Sequence, residues 1–250
     1  MFSLDLTCTQ ETKDFLIADF AELGSSGIVE LDATHLRAFF DDDADAPAMS
    51  EKFGAPAHIW ENIDWVAKSR EDIEPMEVGE KFFLVPQWRE DPTPPGRLRI
   101  EINNGLAFGT GRHETTRLCL EFLERQVQPG MTVLDIGTGS GILAQAATLL
   151  GAGRVIACDT DPLAAAVALA AGLNVFIGST DALASHQADL LVANISPETL
   201  RELAAEFPRL LKPNGQAILS GVEAQDQLPF TPLATRAESE WRAYLISFMP

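Results

Sequence analysis

The sequence predicts an α/β fold, a doubly wound and mostly parallel sheet, preceded by a small α+β domain. Three observations carry that prediction. Apolar, β-branched runs alternate with helical patterns from Val133 onward, the order that builds a parallel sheet covered on both faces. One such run ends in an acid and a glycine loop, residues 133–141 reading VLDIGTGSG. The next run, RVIACD, closes on Asp159, 18 positions after Gly141.

The elements follow in order. Residues 3–9 alternate as a strand does, residues 10–23 have a helical pattern, and Gly24, Ser25, Ser26 and Gly27 break it. Residues 28–32 and 35–41 then read as two strands. About twenty residues rich in Ala, Pro and Asp precede Trp60, a cramped space for a second full helix and a fourth strand. Residues 61–100 read as a linker and 101–250 as the main domain. Within it, residues 133–136 enter the glycine loop, 142–150 form a buried helix, and 154–159 make the next strand. Short strands are expected at 174–178 and 189–195, then a helix over 197–211. Lys212, Pro213, Asn214 and Gly215 signal a turn before a strand at 216–221. Residues 233–238 and 240–248 have no helix between them and read as a hairpin that closes one edge with an antiparallel strand.

Ligands of such sheets sit beyond the carboxyl ends of the strands, where Asp135, Asp159 and Asn194 fall. Gly137, Gly139 and Gly141 let the backbone approach a ligand closely. Asp159 is placed to accept hydrogen bonds from both ribose hydroxyls of an adenosine ligand. A dinucleotide site calls for G-x-G-x-x-G around a pyrophosphate. Here the spacing is G-x-G-x-G, and Asp135 just before it would repel a pyrophosphate. An acid suits S-adenosylmethionine, which is cationic at sulfur and carries an ammonium.

Charge narrows the partners. The chain holds 18 basic and 37 acidic side chains, a net charge of −19. Residues 1–100 carry 21 acids against 9 bases. Direct nucleic-acid binding needs basic surface and is disfavoured. A basic polypeptide would be steered toward this one, although an acidic surface also serves solubility. The run DDDAD at 41–45 lacks the glycine and distal glutamate of a calcium loop and reads as a solvated loop. Cys8, Cys119 and Cys158 are scattered, show no metal spacing, and fit a reducing cytoplasm. No leader or membrane span is evident, so a cytoplasmic monomer without metal is expected.

Residues 105–116 read GLAFGTGRHETT, followed by RLCLEFLE, VLDIGTGSGILA, DTDP, VANI and LLKPNGQAILSGV. This succession resembles the PrmA-type ribosomal protein methyltransferases, from Trp65 to about Val222. The resemblance implies a class I S-adenosylmethionine-dependent methyltransferase domain and methylation of lysine or terminal amines on a large-subunit ribosomal protein. It also implies that the β-α-β-β start, residues 1–60, is a reduced ferredoxin-like domain holding that substrate. Cofactor contacts are implied for Phe108, Thr116, Gly137, Asp159 and Asn194.

Each of these has a plainer reading beside it. Phe108 could stack on adenine or pack in the core. Thr116 could bind the cofactor's polar end or serve a helix first turn. Asn194 could be a turn residue at a strand end. His113 could order the loop or act as a base, ordering being favoured; no general base is assigned. The chain departs from the family pattern in a short helix after Asp161 and Pro162, and after Gly221, where Pro229 and Pro232 stand in place of a helix. Two alternatives therefore stay open, a methyltransferase for another protein or small molecule, and a non-catalytic S-adenosylmethionine-binding protein. Asn194 is followed by Ile195, Ser196 and Pro197, unlike the Asn-Pro-Pro-aromatic motif of DNA and glutamine-amide methyltransferases.

Overall fold

Alternating apolar residues in β1 (Phe2–Thr7) turn Phe2 and Leu4 into a core that they share with Phe20, Ala38 and Phe40. The computed structural model describes residues 1–9, 12–41, 44–60, 73–102 and 111–248. They belong to two units, Met1–Asp72 and Ile73–Pro250. After β1, the first unit runs α1 (Lys13–Glu22), β2 (Gly27–Asp32), β3 (His35–Phe40), α2 (Ala46–Phe53) and β4 (Ala57–Ile59). The sheet order is β2-β3-β1-β4 and every pairing is antiparallel. A second helix and a fourth strand thus fit where the sequence reading found them cramped. They fit because the helix has only 8 residues and the strand 3. Asp45 starts the helix by accepting a hydrogen bond from the Ala48 N–H at 3.1 Å, and Gly54, at φ 63°, stops it. The last residue of the DDDAD run is therefore a helix cap; Asp42 and Asp43 lie outside the described residues.

The second unit opens with β5 (Met76–Val78), β6 (Phe82–Pro86) and β7 (Leu98–Ile102), a sheet of order β5-β6-β7. The described part of the stretch read as a linker is therefore folded. β6, whose five residues are all buried, cannot stay in water as a linker would. Phe82, Leu84 and Ile100 join the same core as Leu118 and Leu123 of α3 (Glu114–Gln126). The buried Glu124 carboxylate accepts the Glu80 and Lys81 N–H groups at 2.9 and 3.0 Å, tying this sheet to α3.

The main sheet contains β8 (Thr132–Ile136), β9 (Arg154–Asp159), β10 (Val175–Ile177), β11 (Ala188–Asn194), β12 (Leu211–Glu223), β13 (Pro232–Glu238) and β14 (Trp241–Ser247). Their order is β10-β9-β8-β11-β12-β14-β13. The first five are parallel, and the closing hairpin is antiparallel, as expected. Helices α4 (Ile142–Leu149) and α5 (Pro162–Ala170) cross between the early strands. The helix expected at 197–211 is two short ones, α6 (Pro197–Glu202) and α7 (Glu206–Leu210). The turn at Lys212 to Gly215 is a bulge inside β12. Asn214 there has φ 67°, and the register jumps from Ala188 opposite Leu211 to Leu190 opposite Gln216. Between β8 and β11 the strand order reverses, which opens a crevice at the carboxyl edge.

Candidate cofactor-binding site

The chain leaves β8 through Gly137, Gly139 and Gly141, at φ 70°, 55° and 82°, a region that side chains with a Cβ adopt only at a cost. Backbone and carboxylates hold this loop. The Gly137 and Thr138 N–H groups donate to the Cys158 carbonyl at 2.9 and 3.0 Å. The Gly139 N–H donates to Asp159 Oδ2 at 2.8 Å, and the Asp161 N–H to Asp159 Oδ1 at 3.0 Å. Below it, Asp135 Oδ2 accepts both the Thr138 hydroxyl at 2.6 Å and the Ala144 N–H at 3.1 Å. Asp135 is fully buried, its Oδ1 has no hydrogen-bond partner, and burial pushes its pKa up to about 6.

A cleft of about 470 Å³ lies at this edge. Gly137, Gly139, Asp159 and Asn194 share its wall with Ile195 and Thr199. Four residues expected from the sequence thus meet in one place. Asp135 does not reach the wall and acts from beneath, joining the loop to the start of α4. Thr116 is also off the wall. It sits buried in the first turn of α3, and its hydroxyl accepts from Asn194 Nδ2 at 3.4 Å. Phe108 lies outside the described residues. His113 is the N-cap of α3, Nδ1 accepting from the Thr115 N–H at 3.3 Å. Its ring meets Trp241 edge-on, with centroids 4.7 Å apart.

Behind Asn194 a second pocket of about 330 Å³ opens, lined by His113, Thr115, Asn194, Ile195, Ser196, Gly221 and Trp241. Among the described residues, no Asp, Glu, Lys or Arg lines it. Asn194 and Ile195 belong to both walls. The sequence reading missed Ile195, Gly221 and Trp241. A glycine ending the QAILSG run was the one local signal, because a glycine at a strand end marks a bulge or close backbone approach.

The family model for ribosomal protein L11 methyltransferase (PrmA) matches residues 32–229. A ribosomal protein L11 methyltransferase of Burkholderia mallei is 45% identical over 169 residues, 66% of this chain and 56% of that protein. One from Symbiobacterium thermophilum is 39% identical over 200 residues, covering 74% and 66%. The chain therefore spans little more than half the length of the Burkholderia relative. A solved ribosomal protein L11 methylase of Lactobacillus delbrueckii subsp. bulgaricus superposes with a TM-score of 0.64 at 32% identity, over 71% of this chain and all of that one. The sheet order and this superposition make the second unit a class I methyltransferase fold. The chain belongs to the PrmA family.

Proposed function

We propose that this chain is an S-adenosylmethionine-dependent protein N-methyltransferase acting on lysine or terminal amines of ribosomal protein L11. The observation that carries this reading is the pair of pockets meeting at Asn194, one lined by glycine backbone and the acids Asp159 and Asp161, the other lined, among the described residues, by no Asp, Glu, Lys or Arg. The first fits the cofactor. A Cβ at Gly137 would overlap Ile195 and fill the cradle, and the Asp159 carboxylate is at the rim. Asp159 would hold the ribose, Gly137 and Gly139 would present backbone, and Asn194 would face the reacting end, with Asp135 and Thr116 fixing loop and amide from behind. When bound, S-adenosylmethionine supplies a methyl carbon made electrophilic by its sulfonium.

The residues of the second pocket prepare the acceptor. A free lysine amine, with pKa about 10.4, is neutral roughly once in a few thousand molecules at pH 7. A pocket walled by Trp241 and Ile195, with no carboxylate among the described residues of its wall, disfavours the ammonium and favours the neutral nucleophile. Holding that amine in line is then a matter of positioning. The acidic surface would steer a basic protein substrate and discourage direct contact with nucleic acid. Three buried free cysteines suit a cytoplasmic protein, and no helix among the described residues is long and apolar enough to cross a membrane. We take the working unit to be a monomer, with the first unit receiving the substrate. A methyltransferase for a different protein is the second reading, favoured by the loop that joins β12 to β13 where a helix was expected. Incubation with labelled S-adenosylmethionine and purified L11 tests the proposal. Label on L11 at amines is expected; cofactor binding with label only on another protein of a lysate would move the assignment to that protein.

A further inference from the structure

Ile195 follows the last residue of β11 and is gripped from two sides. On one side lies Gly221, at φ 90°, where β12 bulges between Ser220 and Val222. A Cβ there would overlap the Ile195 carbonyl oxygen and lie 3.0 Å from the Ile195 nitrogen. The Ile195 N–H donates to the Ser220 carbonyl at 3.2 Å, so the glycine bulge sets where the Ile195 backbone passes. On the other side lies Gly137, at φ 70°, where a Cβ would overlap the Ile195 side chain at Cγ2. Two glycines distant in sequence, each in a left-handed conformation, thus leave room for one isoleucine. That isoleucine lines both the cofactor cleft and the second pocket.

We propose that Ile195 is the positioning residue that separates cofactor from acceptor, a wedge seated by Gly137 and Gly221 that sets the line along which a slender primary-amine arm meets the cleft. This inference rests on the reading of the two pockets as cofactor and acceptor sites. A β-branched side chain suits the task, because it is stiff about χ1 and holds one orientation when packed. Its backbone is tied to the bulge, so the wedge cannot retreat toward β12. Its Cγ2 abuts Gly137, so it cannot advance into the cleft without displacing the loop that would carry the cofactor. Asn194, directly before it, faces both spaces and inherits its placement from the same backbone.

The test uses the full chain with Gly137→Ala, Ile195→Ala, the double variant and Ile195→Val. Each is read by thermal unfolding, by calorimetric affinity for S-adenosylhomocysteine, and by kcat and KM for methyl transfer to L11. Gly137→Ala is expected to lower the unfolding temperature and weaken S-adenosylhomocysteine at least tenfold. In the Ile195→Ala background Gly137→Ala should cost less in both readouts than it does in the unaltered protein, because the space that the new Cβ needs is vacated, while the cost of the left-handed backbone remains. Ile195→Ala alone should leave the S-adenosylhomocysteine affinity within threefold yet lower kcat at least tenfold, with Ile195→Val between it and the unaltered protein. That split is one a merely structural role would not produce. An equal cost of Gly137→Ala in the two backgrounds would overturn the wedge, as would an unchanged kcat in Ile195→Ala. If Gly137→Ala does not fold alone, folding of the double variant is the expected rescue, and failure of both with full activity in Ile195→Ala overturns the proposal. Lack of S-adenosylhomocysteine binding by the unaltered protein would instead defeat the cofactor reading, while the coupling in unfolding temperature still decides the Gly137–Ile195 contact.

Discussion

The two sides of Asn194 are made differently. The proposed cofactor side is largely backbone and carboxylate, with Gly137, Gly139, Asp159 and the N–H groups they pair all between β8 and the start of α5. The proposed acceptor side is assembled from side chains far apart in sequence, His113 and Thr115 from the start of α3 and Trp241 from β14. A local, backbone-built surface tolerates few substitutions because the glycine conformations are not available to other residues. A surface of side chains can change one residue at a time.

The largest expected effect falls on the backbone side. Asp159→Ala would remove the two charge-assisted hydrogen bonds proposed to a ribose, each worth about 1.5–3 kcal/mol. It also releases the Gly139 and Asp161 N–H groups that Asp159 now holds. S-adenosylhomocysteine affinity should fall by about a hundredfold or more by calorimetry, while the variant stays folded. Unchanged affinity would break the comparison at its first term.

Next comes Asp135, which lies beneath the same loop. Its folded pKa, about 6, is above the 3.8 of the free side chain. A carboxylate with a raised pKa favours the folded state below its unfolded pKa, and that advantage is lost as the pH rises through 6. The lost stability is on the order of 3 kcal/mol. Asp135→Asn should remove it. One oxygen already takes both hydrogen bonds, so an amide oxygen can replace it, and the amide nitrogen takes the place of the unpartnered Oδ1. Urea unfolding should show the stability gap between variant and parent widening in the variant's favour from pH 4 to pH 7. A gap that does not vary with pH would mean Asp135 titrates normally.

The acceptor side should respond in a different quantity. Trp241→Ala removes a large wall of the second pocket and the partner of the His113 ring. A tenfold loss in kcat/KM for L11, about 1.4 kcal/mol, is expected with S-adenosylhomocysteine affinity unchanged. Equal losses in both would show that the two sides are one site.

The same contrast explains what could be read in advance. That Gly137, Asp159 and Asn194 come together at one edge of the sheet was legible because strand, loop and acid are contiguous, and the parallel order follows from alternating patterns. Ile195, Gly221 and Trp241 were not, because the contacts that give them meaning join β11, β12 and β14 across tens of residues. α2 and β4 were missed for another reason. Their signals were present, an Asp cap, a Pro in the first turn and a Gly stop, but the space they need was overestimated. Phe83, Leu84 and Val85 within β6 form a run too apolar for the linker assigned to it.

The smallest effect concerns His113, whose role separates ordering from base catalysis. Its Nδ1 accepts from the Thr115 N–H, which makes it the cap of α3, and its ring lies edge-on to Trp241. A lost cap costs about 1 kcal/mol. His113→Ala should lower stability by that amount and reduce kcat a few-fold, through a less constrained Trp241. Asn is a good N-cap, so His113→Asn should restore the stability while leaving the modest loss in kcat, since it returns the cap but not the ring. If His113 were the base, both variants would lose kcat by two orders of magnitude or more, on the scale of general-base contributions, and the pH profile of kcat would change shape. With an ordering role the profile keeps its shape, because the proton that leaves the amine is not carried by this ring.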